Sequence, residues 1–222
     1  HVCVNNLGGI SNVTSIDWRW GRGSAPQVLA FDTGPANVLI DLAMRHFSRG
    51  RCDRDDLGRW AVRGTPCEKL LRRWLRHSFF QRPPPKSTGR EQFGEVFFNR
   101  ALAHLQAARL GRYDALASFT EFTARSLTLN YELHLRASPD EVILAGGGAA
   151  NSVLVMAIRE ALQRANPATR VRTCEDLGWP AQSVEPAAFA YLAWLRWEGK
   201  PGNLPRTTGA ARPVLCGQIS ES

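Results

Sequence analysis

Apolar and polar positions change their period several times along the chain, and each change marks an element. Val2 to Leu7 is a short β run that stops at Gly8-Gly9, and Asn12 to Ile16 is a second, rich in β-branched residues. The paired glycines predict a tight turn between them. Arg19 to Ser24 is polar and glycine-containing and reads as a connection. Gln27 to Phe31 is continuously apolar, which predicts a third strand buried on both faces. Three strands so close together are spaced as an antiparallel meander. From Pro35 the period becomes helical, with Val38, Leu39, Leu42, Ala43 and Phe47 recurring on one side.

Residues 48–138 read as an insert of helices, broken at Pro83-Pro84-Pro85, where a helix cannot continue. Helical spacing returns over Phe93 to Leu110 and again from Asp114, an N-cap by type, to Leu135. Glu141 to Ala145 is a short apolar strand and Gly146-Gly147-Gly148 a turn. Asn151 to Arg164 is a helix with Leu154, Ile158 and Leu162 on one face. Arg170 to Cys174 predicts a fifth strand, and Glu185 to Trp197 a last helix rich in aromatic and alanine packing positions. The order βββαβαβα with inserted helices is that of an α/β, ribonuclease-H-like lobe, the unit shared by actin-like ATPases and sugar kinases.

Composition narrows the class. With 44% apolar and 22% charged residues the chain can bury a core, and no run approaches the roughly 18 apolar residues of a membrane span. The chain begins at His1, directly before a strand, and reads as a fragment, one lobe of a two-lobed protein with the N-terminal lobe absent. Cysteines at 3, 52, 67, 174 and 216 keep no metal or redox spacing and suit a reducing, cytoplasmic setting. The balance of 28 basic to 20 acidic residues suits an anionic ligand. Arg72, Arg73 and Arg76 lie opposite Leu70, Leu71, Trp74 and Leu75, and read as a solvated helix face. The histidines at 46, 77, 104 and 134 share no spacing that suggests a metal site.

Chemistry concentrates at turns. Gly8 and Gly9, with Asn12 beyond them, stand at a hairpin tip where bare backbone can bring N–H groups to phosphate oxygens, although an ordinary turn has the same composition. Asp32, Thr33, Gly34 and Asn37 lead into a helix N-terminus, which suits an anion or a hydroxyl-rich ligand, and equally a helix cap. Gly146, Gly147, Gly148 and Asn151 lack dinucleotide-fold spacing, but three consecutive glycines suit a flat ligand such as adenine and ribose. Lys86, Ser87, Thr88 and Arg90 place cations and hydroxyls around Gly89. There Ser87 or Thr88 capping the next helix is the competing reading. Glu185, next to Pro186, opens a helix, where a carboxylate also serves simply to complement the dipole.

Taken together, Asn6-Leu7-Gly8-Gly9-Ile10-Ser11-Asn12, Asp32-Thr33-Gly34-Pro35-Ala36-Asn37, Pro85-Lys86-Ser87-Thr88-Gly89-Arg90-Glu91 and the triple glycine resemble the consecutive signatures of the anhydro-N-acetylmuramic acid kinase family. So do Glu185-Pro186-Ala187-Ala188-Phe189-Ala190 and the closing Pro201-Gly202-Asn203-Leu204-Pro205 and Thr208-Gly209-Ala210. The resemblance runs from end to end and implies a C-terminal lobe. It departs at Ala36, where the family commonly has glycine.

It also implies ATP- and Mg²⁺-dependent opening of a 1,6-anhydro bond of the muramic sugar, with phosphorylation at O6, in cell-wall recycling. By the same resemblance Gly8, Gly9 and Asn12 approach the phosphates, and Gly146, Gly147, Gly148 and Asn151 the adenosine. Asp32, Thr33, Gly34, Asn37, Lys86, Ser87, Thr88 and Arg90 line the substrate and phosphate side, and Glu185 holds Mg²⁺ directly or through water. The family's glycine-, serine- and threonine-rich loop and its Gly-Asp-Phe-Arg stretch, whose Asp activates water, occur nowhere in these 222 residues. The catalytic base is therefore expected in the missing lobe, and this chain alone is expected to be inactive. Levoglucosan kinases resemble the same lobe, so a related anhydro-sugar is an alternative substrate. A non-catalytic nucleotide-binding or scaffold lobe is another reading. Expected partners are the small anhydro-sugar and the missing lobe. A homodimer stays open, and neither nucleic acid nor membrane is expected.

Overall fold

A computed structural model describes residues 1–22, 25–180 and 183–220. Five strands form one sheet: β1 (Val2–Leu7), β2 (Ile10–Arg22), β3 (Ala25–Pro35), β4 (Glu141–Ala145) and β5 (Arg170–Thr173). Their order is β3-β2-β1-β4-β5, with β1–β2 and β2–β3 antiparallel and β1–β4 and β4–β5 parallel. A meander extended by two parallel crossover strands is the ribonuclease-H-like arrangement that the element order predicts.

Two strand readings change. β2 does not end near Ile16 but runs on through Asp17, Trp18, Arg19 and Trp20. This stretch looked polar because its side chains alternate: Arg19 folds back to Asp17 at 3.0 Å, while Trp18 and Trp20 are exposed. The end of that stretch, residues 23 and 24, lies outside the described residues. β3 is longer than Gln27 to Phe31 and lies at the sheet edge, so residues 26–30 are only half-buried rather than enclosed on both faces. An apolar run reports burial on average and carries no information about edge position.

The helices are α1 (Asn37–Ser48), α2 (Glu68–Trp74), α3 (Arg90–Phe93), α4 (Glu95–Ala107), α5 (Arg112–His134), α6 (Ser152–Ala165), α7 (Val184–Trp197) and α8 (Pro205–Thr208). Pro35 closes β3, and α1 starts two residues later. α5 lies within the expected insert yet belongs to the core. Tyr131 donates to Asn5 Oδ1 at 3.1 Å, Asn130 to the Thr33 carbonyl at 2.9 Å, and Thr123 to the Ala36 carbonyl at 3.0 Å. The cap of α5 is Gly111. Asp114 stands one turn inside, where its carboxylate accepts the Gly111 N–H at 3.3 Å and the Thr65 N–H at 2.9 Å.

Around α5 the insert packs an aromatic core of Trp74, Phe79, Phe80, Phe93, Phe119 and Phe122, with Trp74 stacked on Phe119 at 5.3 Å. Each such side chain removed from water contributes about 2–3 kcal/mol, enough to fix α2, α3 and α4 to the body. α7 departs from the reading of an aromatic packing helix, because none of its residues is buried. Phe189, Tyr191, Trp194 and Trp197 are exposed.

Candidate functional site

Three turns meet at the ends of β1, β3 and β4, and Asn37 joins them. The Gly8-Gly9 hairpin tip turns its carbonyls to the start of α1. Ala36 N–H donates to Gly9 at 2.9 Å, Asn37 N–H to Gly8 at 3.0 Å and Val38 N–H to Gly9 at 3.1 Å. The first amides of α1 are thus taken by the hairpin, and they do not form the open anion site that a helix N-terminus offers. The Asn37 side-chain amide donates to Leu7 and Gly8 carbonyls at 3.0 and 2.8 Å. Because the hairpin carbonyls face α1, the Gly8 and Gly9 N–H groups are left facing away, and among the described residues they meet no acceptor.

The triple glycine divides by role. Gly146 has φ +78°, and a Cβ there would meet Asn6 Oδ1 at 2.2 Å; one on Gly148 would meet Leu7 Cβ at 2.7 Å and the Leu7 carbonyl at 3.0 Å. These two let the β4 turn close against the hairpin. Gly147 alone faces open space, with nothing within 4 Å of where its Cβ would be. It borders a cavity of about 340 Å³ with Asn37, Asp41, Arg54, Asp55 and Asn151. Asn151 caps α6 by accepting the Leu154 N–H at 3.1 Å, so part of its amide is already engaged.

A second cavity, of about 320 Å³, lies on the other side of α1 against Gly9, Asp41, Arg45, Arg90 and Glu91. Asp41 borders both cavities. Burial pushes its carboxyl from the usual 3.8 up to about 6, against the pull of Arg45, Arg54 and Arg90 and with the help of Asp53. Asp41 is absent from the sequence reading. It occupies the polar position of an amphipathic helix, where a solvated carboxylate is the ordinary occupant, and no sequence signal separates the two cases.

The remaining expected residues have other geometries. Thr33 is fully buried at a bulge where Ser11 faces Gly34 and Asn12 faces Asp32, and its hydroxyl donates to Ser11 Oγ at 2.7 Å. Gly34 adopts φ +120°, and a Cβ there would meet the Phe80 ring at 2.9 Å. Asn12 shares the half-buried face of the sheet with Asn6 and Asp32, its cross-strand neighbours. The Asp32 carboxylate, raised by burial, accepts the Thr88 N–H at 2.8 Å and so ties down the loop before α3.

The Lys86 ammonium is turned inward, bonded to the Phe79 and Phe80 carbonyls at 3.3 and 3.2 Å and to His134 Nε2 at 2.9 Å. Burial lowers its pKa to about 8. Ser87 is exposed, and neither it nor Thr88 caps α3, whose N-cap is Gly89. Arg90 reaches the second cavity. Glu185 lies in the first turn of the exposed α7 and pairs with none of the other expected residues. No group of three His, Cys, Asp or Glu side chains that could hold a metal ion occurs among the described residues.

The lobe is ribonuclease-H-like, with glycine turns at its strand ends and the open backbone of Gly147 facing a cavity. The family model for anhydro-N-acetylmuramic acid kinase matches residues 1–222. The chain belongs to the anhydro-N-acetylmuramic acid kinase family. It is 43% identical over 222 residues to the anhydro-N-acetylmuramic acid kinase of Acaryochloris marina, covering 98% of this chain and 56% of that protein. With the enzyme of the same name from Picosynechococcus sp. it shares 45% over 219 residues, covering 99% and 57%. The chain thus spans little more than half the length of the curated relatives it matches. Among solved structures it is similar to an activator of 2-hydroxyisocaproyl-CoA dehydratase from Clostridium difficile with bound ADPNP, at 16% identity and TM-score 0.45, over 77% of this chain and 53% of that one. No described helix is long and apolar enough to cross a membrane.

Proposed function

We propose that this chain is the nucleotide-holding lobe of an ATP-dependent kinase that opens the anhydro ring of 1,6-anhydro-N-acetylmuramic acid and phosphorylates O6, with a further lobe supplying the general base. The observation that carries the reading is the open face of Gly147 at a cavity that Asn37 and Asn151 also line, with the Gly8-Gly9 tip bonded to Asn37 beside it, in a chain matched end to end by this family. The fit to a nucleotide is local and physical. Gly147 leaves room for a flat base, and the N–H groups of Gly8 and Gly9 offer donors to phosphate oxygens.

ATP brings the phosphoryl group, and its Mg²⁺ is held chiefly by phosphate and water oxygens, so one additional carboxylate suffices on the protein side. We assign that carboxylate to Glu185. Asn37 fixes the hairpin tip against α1, and Asp32 holds the 86–88 loop at the sugar side, where Arg90 contributes a positive charge. Water attack at an anomeric carbon needs a base within hydrogen-bond reach. None of the carboxylates here is assigned that part, and the missing lobe supplies it. The exposed aromatic face of α7 is apt to meet that lobe. A smaller anhydro-sugar is the alternative substrate.

Calorimetry on this chain with a non-hydrolysable ATP analogue checks the reading. Saturable binding that Mg²⁺ strengthens is expected, together with no ADP release when ATP and the anhydro-sugar are supplied. Glu185→Gln should remove most of the Mg²⁺ effect while costing at most about 1 kcal/mol of stability, the size of a helix-dipole contribution. Absence of nucleotide binding would remove the proposal, and turnover by this chain alone would place the base within it.

A further inference from the structure

Arg72, Arg73 and Arg76 are exposed, as a solvated helix face requires, but they differ in their partners. Arg72 pairs with Glu68 at 3.5 Å, and Arg125 takes the other Glu68 oxygen at 2.8 Å. Arg73 and Arg76 turn instead to a cavity of about 490 Å³ between α2, α3 and α4, which Arg100 also lines from α4. Among the described residues none of these three arginines has a carboxylate partner, and the one acidic side chain on the cavity is Glu91. The spacing of Arg73 to Arg76, three residues, and of Arg100 to His104, four residues, directs each pair to one side of its own segment. Three cationic groups on two elements therefore face a single acid.

Two residues that line the cavity, Trp74 and His104, each carry a buried ring nitrogen without a partner. The Trp74 side chain is 4% exposed, is fixed by its stack on Phe119, and its indole N–H meets no acceptor. His104 Nδ1 is likewise without a partner. Burial and then the Arg73 charge hold His104 below the usual imidazole range, and burial and Arg82 do the same for His77.

We propose that this cavity is a binding site for a phosphate-bearing small molecule, with Arg73, Arg76 and Arg100 as its charge partners and the Trp74 side chain as part of its wall. Guanidinium groups pair with phosphate through two parallel N–H bonds, which is the chemistry that three unpartnered arginines around one hollow supply. The volume falls in the range of sites that enclose small molecules. An extended polyanion is disfavoured, because Glu91 stands on the wall that such a chain would cross. The site is separate from the Gly147 cavity, and shares Glu91 and Val96 with the cavity beside Asp41. It does not depend on the nucleotide reading of the Gly147 turn.

Titration of this chain with inorganic phosphate and with glucose 6-phosphate, followed by calorimetry and by the ¹H–¹⁵N indole resonance of Trp74, tests the site. Saturable binding with a shift of that resonance is expected. The double variant Arg73→Gln, Arg100→Gln should bind about tenfold more weakly or worse at an unchanged melting temperature, since both side chains are exposed. Arg76→Gln alone provides the same comparison should the double variant lose its fold. Unchanged affinity in these variants, or no saturable binding by either phosphate, would overturn the proposal. So would tight, salt-sensitive binding of a duplex oligonucleotide with no response to small phosphates, which would make the surface a nucleic-acid contact.

Discussion

Gly147→Val should weaken binding of an ATP analogue at least about tenfold and leave the melting temperature nearly unchanged, whereas Gly148→Val should cost about 3 kcal/mol or more of stability. The two positions are adjacent and chemically identical, so the contrast isolates geometry. A side chain on Gly147 projects into space where nothing stands within 4 Å, and there it can obstruct only a ligand. On Gly148 the first added carbon already lies 2.7 Å from Leu7 Cβ, 3.0 Å from the Leu7 carbonyl oxygen and 3.1 Å from Asn37 Nδ2. Backbone and a tethered amide cannot swing aside as the end of a flexible side chain can. Relief requires separating β1 from the β4 turn, which also breaks the Asn37 contacts with Leu7 and Gly8. Thermal unfolding followed by circular dichroism, with calorimetry of analogue binding, measures both arms. If Gly147→Val binds the analogue like the parent, the turn is not part of a nucleotide site.

That contrast also shows what a sequence can and cannot report about this site. The turns themselves were legible, because glycine pairs and triples between an apolar run and a helical period are local signals. The division of labour inside the triple glycine was not, since it depends on Leu7 and Asn37, far off in sequence. The DTGP segment was legible as a turn but not as a bulge, because the register that leaves Thr33 unpaired is set by Ser11 and Asn12 on β2. Lys86 looked like a ligand for an anion since charged side chains seldom turn inward. Here two free carbonyls at Phe79 and Phe80 and the His134 ring give it a complete set of partners. α7 was read as a packing helix from its aromatic content alone. Composition specifies a face that will be covered, but not by what, and nothing described in this chain covers it.

Asp41→Asn should stabilise the chain at pH 7 by about 1–2 kcal/mol, raising the melting temperature by about 3–6 °C, with the advantage gone below about pH 4. The sign follows from the direction of the change. Burial raises the Asp41 carboxyl from 3.8 to about 6 in the folded chain, so folding favours the protonated form. Below the unfolded value both states carry the proton and aspartic acid behaves much as asparagine does. As pH rises toward 6 the unfolded chain ionises first, and the native chain loses stability until its own carboxyl ionises. At full burial the difference between 3.8 and about 6 corresponds to about 3 kcal/mol, and partial exposure reduces it to the range given.

Asparagine keeps the shape and removes the charge that burial opposes. A residue that lowers stability at neutral pH while standing between the cavity beside Gly147 and the one beside Arg90 fits a group kept for its charge. The same variant should therefore bind the Mg²⁺ complex of the ATP analogue differently from the parent above pH 6 and alike below pH 4. Denaturant melts at pH 4 and pH 7 decide the first half. Equal or lower stability of Asp41→Asn at pH 7 would mean that Arg45, Arg54 and Arg90 outweigh burial, and that Asp41 is part of the scaffold instead of the site.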